Sequence, residues 1–220
     1  MILKYSEIKP TLQTGDIFLF HSQYWLSDMI MQITDTVFSH VGMVVSNYPG
    51  VNDVCLLEAT TENNLPCQAG TPTDQKNQYH SGSHLVLLDD LLSYYAPYTD
   101  GNFVVRRLQA AWTPDMLPGL CGFIQQVDAR PFGSYFSMLV HWFEGQVSPV
   151  SATTSQLFCA EMIALAYQNV GLLPMNPPPN AYSPGTFSMK NHNLVMLSNA
   201  AFGEEILVKW DGPLSAKTSS

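Results

Sequence analysis

The chain has 220 residues, of which 46% are hydrophobic and only 12% are charged. This composition can fill one sizeable core and predicts a single domain over residues 1–220. The net charge of -9, with 9 Lys and Arg and no basic cluster, argues against nucleic-acid binding and against an anionic membrane surface.

The sequence of the first half of the chain predicts several strands and one short helix between them. Thr14-Gly15-Asp16 predicts a turn that leads into a strand over Ile17–Phe20. Apolar residues on helical spacing predict a helix over Tyr24–Ile33. Two strand-like runs follow, over Phe38–Val45 and Val54–Ala59, and they predict a hairpin.

Residues 61–83 are rich in Asn, Gln, Thr, Gly and Pro, which is typical of a long loop. Thr113-Pro114 supplies a cap and an N-terminal proline for a helix over Asp115–Val127. The remaining predicted elements are strands over Leu85–Leu88, Phe103–Leu108 and Ile206–Trp210, a second long helix that ends near Gly171, and a disordered tail over 214–220.

Cys159 lies near the predicted start of that second long helix. Thr153 and Gln156 fit a capping box, and Ser155 is the alternative cap. Either start places the thiol near a positive helix end, which favours the thiolate. Taken alone, a cysteine in this position is more often a buried structural residue than a nucleophile.

The hairpin carries His40 on one strand and Glu58 on the other. A hairpin folded symmetrically about Pro49 sets His40 directly opposite Glu58, with Gly42 opposite Leu56. A carboxylate in that position would hold one imidazole nitrogen and turn the other toward a nucleophile. Taken singly, His40 is compatible with a core histidine and Glu58 with a strand-end charge.

Four motifs, in their order along the chain, resemble those of a known family. They are Thr14-Gly15-Asp16-Ile17, Phe38-Ser39-His40-Val41-Gly42-Met43, Leu57-Glu58-Ala59 and Phe158-Cys159-Ala160-Glu161. They are similar to the circularly permuted papain-like cysteine peptidases of the NlpC type, in particular the YiiX/YaeF-like group. The resemblance implies an α+β fold, with an antiparallel sheet or partial barrel packed against helices. It implies Cys159 as nucleophile, His40 as general base and Glu58 as the group that orients His40. The resemblance also makes Tyr135 a candidate oxyanion or substrate contact.

The other reactive side chains are assigned structural roles. His80 and His84 have i, i+4 spacing but lie in loop-like sequence, so no metal site is expected there. Cys55, Cys67 and Cys121 are interpreted as inert small side chains. No CxxC pair and no phosphate-binding loop occurs, and no cofactor is expected.

These observations predict a thiol hydrolase, either an amidase or peptidase or an acyl-ester hydrolase or acyltransferase. The expected substrate is a small-molecule, peptide or lipid-like amide or ester, and its class is left open. The alternative is a catalytically silent papain-like binding module. The N-terminus lacks the apolar region of a signal peptide, and no stretch approaches ~18 apolar residues, so a cytoplasmic chain without a transmembrane segment is expected.

Overall fold

The computed structural model describes residues 1–21, 37–69, 79–130 and 158–214. The described strands are β1 (Ile2–Lys4), β2 (Ile17–Phe20), β3 (His40–Val45), β4 (Cys55–Thr60), β5 (Gly82–Leu87), β6 (Asn102–Gln109) and β7 (Ala201–Lys209). The described α-helices are α1 (Tyr5–Ile8), α2 (Leu88–Tyr95), α3 (Met116–Val127) and α4 (Cys159–Asn169). Short 3-10 helices lie over Lys9–Thr11, Ala96–Tyr98, Pro179–Ala181 and Pro184–Phe187.

Within the described residues the seven strands form one sheet in the order β1-β7-β6-β2-β3-β4-β5. All neighbours pair antiparallel except β1 and β7, which pair parallel. The α+β class is therefore confirmed, with one parallel edge that the sequence did not indicate.

Successive side chains of a strand point to opposite faces of the sheet, so the strands present apolar residues on both faces, and each face is covered. In β3 and β4 the buried Val41, Met43 and Leu57 face a core that contains helices α3 and α4. Val44 and Leu56 face a second core that contains α1 and α2. The sheet is thus the middle of three layers, and α4 packs on β3 and β4.

Buried hydrogen bonds hold the turn before β2 in place. Gly15 adopts a left-handed φ of 91°, which favours glycine. The buried Asp16 carboxylate accepts the N–H groups of Gln13 and Leu108, and the Tyr167 hydroxyl of α4 donates to the Gly15 carbonyl at 2.6 Å. This motif positions β2 against β6 and α4, which is a structural role.

The observed elements follow several of the predictions. β2 has the predicted bounds, and α3 begins one residue later than predicted although it contains Pro118 and Gly119 near its start. β5 begins at Gly82, inside the stretch predicted to be a loop. The elements that the sequence reasoning missed are β1, α1 and α2.

Other predictions fall on residues outside the described ranges. They are the helix over Tyr24–Ile33, the caps Thr153, Ser155 and Gln156, the contact Tyr135, and nearly all of the tail over 214–220. Across the ranges that the structure covers, no helix has the length and hydrophobicity needed to cross a membrane.

Candidate active site

Cys159 is the first residue of α4, and the helix starts later than the sequence pattern predicts. Phe158 is the N-cap residue and is extended, with φ -110° and ψ 157°, so the helix does not run back to Thr153 or Ser155. The first helical hydrogen bond runs from Met162 N–H to the Phe158 carbonyl at 2.9 Å. Cys159 therefore lies in the first turn, where the helix dipole favours a thiolate most strongly.

His40 and Glu58 meet, but not in the predicted register. Val44 pairs with Leu56, and the same register continued along β3 and β4 sets Gly42, not His40, opposite Glu58. The predicted pairing was wrong by two residues. A shift of two keeps every side chain on the same face, so His40 still reaches Glu58 diagonally. The His40 Nε2 to Glu58 Oε2 distance is 2.6 Å.

Gly42 keeps open the space beside this pair. A Cβ atom at Gly42 would lie 2.8 Å from Leu56 Cγ and 3.2 Å from the Leu57 carbonyl oxygen. Contacts this short force the neighbours to move. The missing side chain therefore lets β3 and β4 approach closely next to the histidine–carboxylate pair.

His84 is a partner of Glu58 that the sequence reasoning missed. It lies on β5 directly opposite Glu58, and its Nε2 is 2.9 Å from Glu58 Oε1. The prediction of a loop at His84 was wrong. The signal was present in the alternation of β5, where His84 and Val86 share one face. The Nε2 atom of His84, which the sequence analysis assigned to a loop without a metal, is therefore engaged by Glu58.

Glu58 is a charged acceptor held by two imidazoles. Its side chain is 1% exposed, and a carboxylate only accepts, so both Nε2–H groups donate to it. Burial alone raises the pKa of Glu58. The hydrogen bonds and charges of His40 and His84 outweigh that effect and lower the pKa to about 2.

His40 links this carboxylate to the cysteine. Because Nε2 donates to Glu58, Nδ1 is the nitrogen left for the hydrogen bond that His40 makes with Cys159. Burial lowers the pKa of His40. The opposing charges and hydrogen bonds of Cys159 and Glu58 raise it to about 10, which favours the imidazolium form of His40.

Aromatic rings shield the pair from water. The ring centroids of Phe20 and Tyr95 lie 5.3 Å and 6.2 Å from that of His40. The His40 side chain is only 17% exposed. The low-polarity surroundings strengthen the His40–Glu58 interaction and fix the ring plane.

Glu161 is a second buried carboxyl close to the nucleophile in sequence. It lies at the third position of α4 and accepts a hydrogen bond from the Phe158 N–H, which is the return contact of a capping box. Burial raises the pKa of Glu161 to about 7.

The described cavity lies elsewhere. A cavity of about 570 Å³ is lined by residues of the segment that follows α4, including Pro174, Tyr182, Ser183 and Leu194. None of its lining residues belongs to the Cys159 cluster. His21, which follows β2, has its Nδ1 at 2.7 Å from the Val37 carbonyl oxygen.

Comparison with known proteins adds a structural neighbour. No protein-family model matches the sequence, and no curated protein does. Among solved structures, the metalloprotein YiiX from Escherichia coli aligns with a TM-score of 0.47 and 20% sequence identity over 72% of this chain. The chain spans 66% of the length of that protein. The functional interpretation therefore rests on the residues of this chain.

Proposed function

We propose that this protein is a cysteine hydrolase or acyltransferase with Cys159 as nucleophile, His40 as general base and Glu58 as the residue that orients His40. The observation that carries the proposal is the chain of contacts from the first residue of α4 through His40 to Glu58, closed by the 2.6 Å bond. Its chain order, with the histidine and carboxylate strands before the cysteine helix, is that of a circularly permuted papain-like fold.

The reaction begins from the state in which Cys159 has passed its proton to His40 Nδ1, and the sulfur attacks the carbonyl carbon of an amide or ester. The negative charge that develops on the carbonyl oxygen faces the start of α4. The N–H groups of the first helical turn have no intrahelical partner, so the Cys159 N–H is a suitable donor. Tyr135 stays a proposed second contact.

The tetrahedral intermediate then collapses. The bond between the carbonyl carbon and the leaving nitrogen or oxygen breaks, and the leaving group takes the proton from His40. A thioester remains on Cys159. Water or an acceptor hydroxyl or amine gives up a proton to His40 and attacks the thioester carbon. The carbon–sulfur bond then breaks, the acyl group leaves as the acid or the transfer product, and the Cys159 sulfur with the proton on His40 restores the starting state.

Glu58 and His84 keep His40 ready for both proton transfers. Glu58 accepts Nε2–H, which leaves Nδ1 directed at the thiol, and its charge stabilises the imidazolium. His84 occupies the second carboxylate oxygen, so Glu58 cannot rotate without losing a buried hydrogen bond. His84 is therefore proposed as a positioning residue.

Intact-mass measurement tests the proposal. The full chain is incubated with libraries of amides and acyl esters, and a covalent acyl adduct is expected on Cys159. The adduct should disappear in Cys159→Ala and fall strongly in His40→Ala. It should persist in the controls Cys55→Ala and His192→Ala, which change a cysteine and a histidine outside the cluster. Adducts that are equal in the wild type and His40→Ala would contradict the assigned roles, and a chain without any adduct would favour the binding-module alternative.

A further inference from the structure

A second group of reactive side chains lies along the side of β5 that faces away from β4, and none of its residues belongs to the Cys159 cluster. Among the described residues, the group that could hold a metal ion is Cys67, His80 and Asp128, whose ligand atoms all lie within 4.8 Å of one another. These residues come from three separate segments of the chain. We propose that they bind a zinc ion.

The backbone brings the three segments to one edge. Cys67 forms a bridge with Val86 of β5, and the next residue donates its N–H to the Leu85 carbonyl at 2.6 Å. Ala129, which follows Asp128, donates its N–H to the Ser83 carbonyl at 2.9 Å, and the Ser83 N–H donates to the Arg130 carbonyl at 2.9 Å. His80 lies two residues before β5 begins. The same edge strand therefore positions all three ligands.

The spacing of the ligand atoms suits a tetrahedral ion. Cys67 Sγ lies 3.2 Å from Asp128 Oδ1, and His80 Nε2 lies 3.5 Å from the same oxygen. Zinc bonds of ~2.3 Å to sulfur and ~2.0 Å to nitrogen or oxygen, at tetrahedral angles, place such atoms roughly 3.3–3.5 Å apart. The two distances therefore need only small side-chain adjustments to receive the ion.

His80 is oriented as a metal ligand is. Its Nδ1 is 3.2 Å from the Ser81 carbonyl, which accepts a hydrogen and leaves the lone pair on Nε2. That Nε2 is buried and makes no hydrogen bond among the described residues, although it lies 3.5 Å from Asp128 Oδ1. A coordinated cation would satisfy both atoms in place of this long contact.

Cys67 and Asp128 supply the matching charge. Cys67 is buried, its thiol donates to Asp128 Oδ1 at 3.2 Å, and its sulfur accepts the Ala69 N–H at 3.4 Å. Zinc binding would displace the thiol proton to solvent, and the ion would neutralise the two negative charges of the resulting thiolate and carboxylate in this partly buried position. Sulfur, nitrogen and oxygen ligands together favour zinc over magnesium or calcium. Three protein ligands leave a fourth position for water or substrate.

Metal titration tests the proposal in the full chain. Cys159→Ala serves as the background, so the result is independent of the proposed catalytic function and the Cys159 thiol cannot bind the ion. After chelator treatment, zinc is titrated against a chromophoric chelator, and one tightly bound equivalent is expected. Cys67→Ser and His80→Gln should weaken binding by at least about tenfold. The matched controls Cys121→Ser and His192→Gln should bind as the background does.

Two further measurements test the proposal if one of the ligand variants fails to fold. Cobalt bound in place of zinc should show a thiolate-to-cobalt charge-transfer band, and the band should be absent in Cys67→Ser and weaker in Asp128→Asn. Zinc should also slow the alkylation of Cys67 in the background protein, with Cys121 as internal reference. An absence of a bound equivalent, or zinc affinity that is the same in Cys67→Ser and Cys121→Ser, would overturn the proposal.

Discussion

Replacing Glu58 by Gln removes one negative charge from the centre of the histidine pair with almost no change in shape. Wild-type Glu58 accepts two Nε2–H groups, from His40 at 2.6 Å and His84 at 2.9 Å. A glutamine side chain offers one oxygen and one NH2 group, so one of the two donors meets another donor. Either that bond is lost or one histidine changes its tautomer.

The expected loss of stability follows from these two bonds. Each hydrogen bond to a charged group contributes about 1.5–3 kcal/mol. Removing one partner of a buried ion pair costs about 3–5 kcal/mol. We therefore expect Glu58→Gln to lower the free energy of unfolding at pH 7 by about 3–5 kcal/mol.

The pH dependence gives this prediction a definite sign. The pKa of Glu58 is lowered to about 2 in the folded protein, from its ordinary 4.5. Its stabilisation is therefore complete above pH 4.5 and is lost as the pH falls toward 2. The pKa of His40 is raised from 6.5 to about 10, so its stabilisation is complete below pH 6.5 and is lost as the pH rises toward 10.

Urea unfolding between pH 2.5 and 9 measures these effects. The difference between wild type and Glu58→Gln should be largest near pH 5–6 and should shrink toward pH 2.5. Asp16→Asn is the control, because its carboxylate is equally buried but contacts no histidine. A difference that stays constant from pH 6 to pH 2.5 would refute the charged carboxylate at the centre of the pair.

Two further variants test the surroundings of that pair. His84→Leu should slow the alkylation of Cys159 by about tenfold and change its pH profile, because Glu58 loses the hydrogen bond that fixes it, and His84→Gln should restore most of the rate. A profile identical to wild type in His84→Leu would exclude the positioning role. Gly42→Ala should cost about 1–3 kcal/mol in urea unfolding because its Cβ meets Leu56, whereas Gly203→Ala, with its nearest atom at 3.6 Å, should cost less. Equal losses in the two variants would contradict the close approach at Gly42.

The sequence predicted the His40–Glu58 contact because strand alternation depends only on parity. The assumed hairpin centre was Pro49, whereas the observed pairs are symmetric about Gly50, which has a left-handed φ of 82°. The error moved the register by two residues, and a shift of two leaves the facing side chains unchanged. A hairpin centre placed half a residue away would have shifted the register by one residue. His40 and Glu58 would then have pointed to opposite faces of the sheet.

Other parts of the site were not predictable because they depend on long-range pairing. His84 lies among polar residues, and only the pairing of β5 with β4 turns it toward Glu58. Cys67, His80 and Asp128 come from segments far apart in sequence. Their spacing along the chain matches no known metal-binding motif, so the sequence alone does not indicate the group. The start of α4 at Cys159 was obscured because hydroxyl residues upstream offered better caps than Phe158 does.

The most direct measurement is the alkylation rate of Cys159 at pH 6, followed by peptide mass spectrometry in wild type and in His40→Ala. A free cysteine with an ordinary pKa of ~8.5 is only about 0.3% thiolate at this pH. An imidazolium-paired Cys159 should therefore react at least about tenfold faster in wild type than in His40→Ala, while Cys55 reacts equally slowly in both. Equal rates at Cys159 in the two proteins would contradict the activation of this thiol by His40.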